Sequence, residues 1–188
     1  MIRAGKPATY GLENSRDVLK KLEWEQRELK ATSAQEPKEL FYRAFNAAVT
    51  AWHLAEWVWR DMTRDQRQQL ETDWDKRLNV NDDNGGAFRK ELIRINREIA
   101  ICREIATASK HVDVSRNRDT TIDTVAKVRA SRVVSSDDEP VMVGEHFVVV
   151  REWTLEVLDG PARRDFIEII DLVIEFWTDF VDQRGIGK

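Results

Sequence analysis

Apolar residues recur at three- and four-residue steps through most of the chain, and this pattern predicts a bundle of about five amphipathic helices. Asn14 or Ser15 is placed to cap a first helix, with Asp17 in its opening turn and Val18, Leu22, Glu25 and Leu29 along one side. That stripe is narrow, so the helix belongs at the surface. Pro37 opens a second helix at a position where a missing N–H costs nothing. Phe41, Ala44, Phe45, Ala48, Trp52, Ala55 and Trp59 keep the helical period through it, which makes it the expected central helix. A third, from about Arg64 to Leu78, carries Leu70, Trp74 and Leu78 on one face and is either continuous with the second or kinked from it. Residues 79–86, NVNDDNGG, accept left-handed backbone angles and reverse the chain. A fourth helix is predicted from about Ala87 to Lys110, with Phe88, Leu92, Ile95, Ile99, Cys102, Ala106 and Ser109 facing the core. The last is predicted to start with Pro161 after Asp159-Gly160 and to end before Gly185, turning Phe166, Ile169, Ile170, Val173, Trp177, Phe180 and Val181 inward.

Between the last two helices the period falls from 3.6 to 2. Residues 124–134 alternate as a half-buried strand does, residues 141–156 are rich in Val, Phe and Trp, and a polar loop at 135–140 joins them. A lone hairpin is too small to be stable and must lie on the helices. The expected fold class is therefore mainly α: one domain over 1–188, an up-down helical bundle with an irregular lead-in at 1–13 and a β-hairpin inserted at 124–156 before the last helix.

Composition narrows the possibilities. At 188 residues the chain can bury a full core without disulfides or a structural metal. No apolar run approaches the roughly 20 residues that span a bilayer, so no membrane partner is expected. The first residues carry charge but no apolar stretch, which leads us to expect no secretory leader and a cytoplasmic location. The single cysteine, Cys102, lies in an apolar stripe and is expected in the core. Seven tryptophans speak first for packing. The net charge of −4 argues against a protein that coats nucleic acid. The charge is uneven, however: residues 86–132 hold 11 Lys and Arg against 6 Asp and Glu, and residues 159–188 hold 4 against 7. The simplest reading is a basic helix packed beside an acidic one.

No phosphate-binding glycine loop, nucleophile elbow or HExxH motif is present, and the acidic turn at 81–85 lacks the glutamate that closes an EF-hand. With three histidines and no Glu-x-x-His pair, neither a metal nor another cofactor is expected. His146 falls in a strand. His53 and His111 lie almost equally far from the reversing turn, so an antiparallel pairing brings them level. Around them run two polar rows: Arg43, Asn46, Thr50, His53 and Trp57 on the second helix, and Asn96, Ala100, Arg103, Thr107 and His111 on the fourth. One reading is a buried polar layer whose members satisfy each other's hydrogen bonds. The other is a small cleft in which His53 and His111 act as acid and base. There Arg103 or Lys110 would hold a phosphate or carboxylate, with Arg43, Asn46, Thr50, Trp57 and Thr107 as further ligand contacts.

A helical bundle with Arg103 and His111 near the end of its penultimate long helix resembles the HEPN superfamily, whose nuclease members are dimeric ribonucleases of prokaryotic toxin and defence systems. The seven residues between Arg103 and His111 make a longer gap than that family uses, and Glu104 and Ile105 stand where a polar residue usually follows the arginine. The resemblance implies a metal-independent ribonuclease, with His111 and His53 sharing acid and base work and Arg103 stabilising charge at phosphorus. Ahead of it we place a binding or interaction module of a prokaryotic or phage-related system. A third alternative is an assembly protein that offers the strand at 147–150 as an edge. The partners to be expected are a second copy of the chain, through the last helix and the hairpin, or RNA, or another protein.

Overall fold

The computed structural model describes residues 11–32, 37–108, 121–132, 142–143, 146–147 and 149–187. The lead-in before residue 11, the loop expected after residue 112 and the polar loop at 135–140 lie outside the described residues, as do Lys110 and His111.

Helix α1 (Ser15–Ala31) begins where the Asn14 side chain accepts the N–H of Asp17 at 3.1 Å, and it buries Val18, Leu19, Leu22 and Leu29. Helix α2 (Pro37–Asp61) is the central helix, but its inner face is set by small residues. Ala44, Ala47, Ala48, Ala51 and Ala55 are buried together with Leu54, Val58 and Trp59. Of the aromatic residues expected inside, Trp59 is fully buried, Phe45 and Trp52 are half-buried and Phe41 is exposed. Alanines on adjacent sides of a helix let two neighbours approach closely, which moves the larger side chains to the margins. Thr63 then starts a separate helix α3 (Arg64–Trp74) through a capping box with Gln66. This helix stops before the expected Leu78 because Asp75 turns left-handed, at φ 49°. Leu78 is still buried, and Glu71 Oε1 accepts its N–H at 2.6 Å.

The reversing turn is organised by Asp82. Its carboxylate accepts the N–H groups of Asn84 at 3.0 Å and Gly86 at 3.1 Å, and its carbonyl accepts Trp59 Nε1–H at 2.6 Å. The helix expected over 87–110 is in fact two, α4 (Gly86–Ile95) and α5 (Arg97–Ala108). Asn96 between them is extended, with φ −130° and ψ 108°, and its Oδ1 accepts the N–H of Ile99 at 2.9 Å. An asparagine side chain that caps a new helix competes with continuation of the old one.

Strand β1 (Ile122–Arg132) is followed by the short pair β2 (Met142–Val143) and β3 (His146–Phe147), and then by β4 (Val149–Asp159). β1 and β4 pair antiparallel from Ile122↔Asp159 to Arg132↔Val149. The start expected for the last helix is corrected as well. Gly160, at φ +57°, and Pro161 form a two-residue turn, and β5 (Ala162–Asp165) returns along β4 to give a sheet of order β1-β4-β5. Asp165 accepts the N–H of Ile167 at 2.7 Å and so caps α6 (Phe166–Gln183).

The inward face of α6 is the one expected, from Phe166 through Val181. Its Phe180 joins Trp59, Phe88 and Trp74 in a cluster of rings, with Phe88 stacked between the two indoles at centroid distances of 5.2 and 5.6 Å. Ile122 and Val157 seat the base of the sheet on this core. α1 runs antiparallel to α6, tied by Arg16 to Asp182 at 2.7 Å and by Lys30 to Asp171 at 2.9 Å. Among the described residues no helix is long and apolar enough to cross a membrane.

Candidate functional site

The polar row of α2 is divided among different tasks. Arg43 bridges Glu28 of α1, at 2.6 Å, and Glu39, at 2.7 Å, and these carboxylate hydrogen bonds, Glu28 first, raise its pKa. Thr50 is buried, and its hydroxyl accepts Lys21 Nζ at 2.6 Å while the same ammonium reaches Glu25 at 2.5 Å. Both residues lie in the α1–α2 seam. Asn46 is exposed and His53 half-buried. Trp57 sits towards the other end of α2 under the guanidinium of Arg60, 4.0 Å from its ring centre. There it lines a hollow of about 260 Å³ with Glu56, Arg60, Asp83, Asn84 and Arg89, across which Arg89 pairs with Glu56. On α5, Thr107 is half-buried, and Arg103 pairs with the buried carboxylate of its neighbour Glu104. Cys102 beside them is fully buried, and loss of solvent pushes its thiol up to about 12.

A larger concavity lies elsewhere. A cleft of about 540 Å³ opens between the first turns of α2, the end of α5, the base of the sheet and the start of α6. Phe41, Tyr42, Ala44 and Phe45 form one wall, Leu155, Glu156, Val157 and Thr124 the opposite one, and Ile105 and Phe166 the remainder. The lining presents almost only carbon. Its size lies within the roughly 300–1,000 Å³ of ligand sites in general. Tyr42 is 67% exposed and Phe41 41% exposed, so apolar surface extends past the mouth. Two of the cations near it are paired, Arg43 with Glu28 and Glu39, and Arg163 with Glu156 at 3.2 Å.

None of the cleft residues is among the candidates drawn from the sequence, because five separate segments of the chain build it.

Among the described residues no group of three or more His, Cys, Asp or Glu side chains is arranged to hold a metal ion. No protein-family model, curated protein or solved structure matches the chain.

Proposed function

We propose that the chain is a binding module that takes apolar side chains of a partner protein into the cleft between α2, α5, α6 and the sheet. The observation that carries this reading is the cleft itself, about 540 Å³ of space with a lining of almost only carbon. A leucine or aromatic side chain moved there from water gains about 1.5–3 kcal/mol. Arg43 and Arg163 are held by carboxylates that a nucleic-acid phosphate would have to displace. The exposed Phe41 and Tyr42 favour a protein over a small molecule, because they extend the contact beyond the cleft as the aromatic centre of an interface does. The ribonuclease expectation requires more rearrangement, since Arg103 must leave Glu104 before it can hold a phosphate.

The test is selection of displayed random peptides on the wild-type protein, followed by affinity measurement on Phe45→Arg and Tyr42→Arg. Phe45→Arg places a guanidinium in the cleft wall, and Tyr42→Arg changes an exposed rim position that folding does not need. We expect peptides with at least two apolar anchors whose binding weakens about tenfold or more in both variants, a change of about 1.4 kcal/mol. Failure to enrich any peptide, or equal affinity for all three proteins, would refute the proposal. An RNA-cleavage assay on the same preparations, with Arg103→Ala as control, decides the enzymatic alternative.

A further inference from the structure

Phe88, Leu92, Ile95, Ile99, Cys102 and Ala106 follow one another at steps of 4, 3, 4, 3 and 4 residues, the period of a single uninterrupted helix. No residue between Ala87 and Ala108 is glycine or proline, so the segment contains no strong helix breaker. The chain nevertheless bends once, at Asn96, between α4 and α5. Five of the six stripe residues are buried, and the exception is Ile95, which adjoins the bend and is 44% exposed. The bend rests on one residue. The Asn96 N–H still closes the last turn of α4 on the Leu92 carbonyl at 3.0 Å, and the Asn96 carbonyl already accepts the N–H of Ala100 at 3.2 Å as α5 begins. Its φ of −130° and ψ of 108° are what separate two helices from one, and its side chain holds them by accepting the Ile99 N–H at 2.9 Å. Rotation at this residue to helical angles, about −63° and −42°, joins residues 86–108 into one helix and brings Ile95 into line between Leu92 and Ile99.

The bend also divides the chain into two halves that share one core. α1 to α4 precede it, and α5, the sheet and α6 follow it. Between the halves lie the packing of α2 on α5 and α6, the α1–α6 seam with its Arg16–Asp182 and Lys30–Asp171 pairs, and the contacts of Phe180 with Trp74 and Phe88. A straight helix over 86–108 carries the halves apart, and these contacts then re-form only with the complementary half of a second copy. We propose that Asn96 is the switch that keeps the two halves of one chain on each other, and that a helix former in its place joins α4 to α5 and yields a dimer of exchanged halves. Exchange sacrifices none of these contacts, because each is made again between copies, so the joint and the protein concentration set the balance. A capping asparagine favours the bend, whereas alanine lacks the cap and favours the helix. The cleft takes Phe41 and Phe45 from the first half and Ile105, Leu155, Val157 and Phe166 from the second, so it too re-forms in the exchanged dimer. The switch therefore does not rest on the binding reading.

Refolding from denaturant at a series of protein concentrations, followed by sedimentation velocity, tests this. At matched concentration Asn96→Ala should raise the ratio of dimer to monomer about tenfold or more over wild type. Asn96→Gly removes the same cap but disfavours a helix, so it should stay as monomeric as wild type. The Asn96→Ala dimer should persist on dilution, because its halves separate only by unfolding. Spin labels on Lys90→Cys and Ala108→Cys, both at exposed positions, report the joint itself. The rise of a straight helix over that span puts the two positions about 27 Å apart, and the bent monomer holds them closer. In labelled Asn96→Ala refolded with an excess of unlabelled chain, the dimer should show the longer distance. A variant Asn96→Ala that is monomeric at every refolding concentration overturns the proposal, as does a dimer with the monomer's label distance, or one that Asn96→Gly forms equally. Should Asn96→Ala fail to fold, Asn96→Gln, also a good helix former, decides by the same readings. None of these readings involves the cleft, so failure of the binding reading and failure of this one are separate results.

Discussion

Replacing Gly85 with alanine tests how closely the reversing turn packs on Trp59. Gly85 has φ +60°, and a methyl group added there would lie 2.6 Å from Cγ and Cδ1 of Trp59. Carbon atoms in contact prefer about 3.5–4.0 Å, so the methyl group falls about an ångström inside the ring surface. The indole cannot retreat, because its Nε1–H donates to the Asp82 carbonyl at 2.6 Å and Phe88 stacks on it at 5.2 Å. Two costs therefore add: about 1–2 kcal/mol for a left-handed L-residue and about 1–3 kcal/mol for overpacking. Gly160→Ala is the control, since Gly160 has φ +57° but nothing within 4 Å of an added Cβ, so it bears the first cost alone. At a urea slope of about 2 kcal/mol/M, an extra 2 kcal/mol lowers the denaturation midpoint of Gly85→Ala about 1 M below that of Gly160→Ala. Equal midpoints for the two variants would mean that Trp59 yields, and the view of the turn as a fixed seat for α4 would be wrong.

Two further outcomes follow from ionisable groups. Hydrogen bonds from the N–H groups of Asn84 and then Gly86 hold the Asp82 carboxyl below its ordinary range. A depressed folded pKa contributes stability above the unfolded value, and that contribution is lost as pH falls through the folded one. Urea midpoints followed from neutral to acid pH should therefore fall less steeply in Asp82→Asn than in wild type, and superimposable slopes would show that the turn does not depend on that charge. Cys102, fully buried and with its thiol pushed up to about 12, should resist iodoacetamide in the native protein at mildly alkaline pH and react only as the protein unfolds; rapid labelling of the native state would place it at the surface.

The elements most legible in the sequence were those in which periodicity and end signals agree. α6 has seven apolar residues at helical spacing, and all seven are buried. α1 has both a narrow stripe and a capping Asn14. The errors arose where one residue type supports two local structures. Asn96 read as a member of a polar row, yet its side chain is also a helix cap, and the extended backbone it adopts divides 87–110 into α4 and α5. Pro161 read as the first residue of a helix, a position that suits its fixed φ. The preceding Asp159-Gly160 is equally a turn signal between strands, and Arg163-Arg164 gave no hint that the chain continues as β5. In α2 the predicted stripe held at Ala44, Ala48, Ala55 and Trp59 but also took in Phe41, Phe45 and Trp52, which lie at its margins. The packed face belongs to alanines, whose small size matters only once two neighbouring helices are known to converge there.

The candidate sites were less legible for a related reason. A search for chemistry favours polar residues that line up, and in a bundle such residues often tie one helix to the next, as Arg43 and Thr50 do in the α1–α2 seam. The cleft proposed for binding is marked instead by apolar residues that miss the inward stripe. Phe41 and Tyr42 are both exposed in the first turns of α2, Leu172 departs from the buried face of α6, and Ile95 lies on the core side of α4 where that helix ends. Each exposes a large apolar side chain to water; Tyr42 borders the carbon-lined cleft, and Ile95 a hollow whose lining is half polar. Folding alone places no demand for aromatic or aliphatic bulk at such positions, since an exposed glutamate or lysine suits a helix as well. On the binding reading proposed for the cleft, the surface that Phe41 and Tyr42 leave exposed is the surface a partner would remove from water.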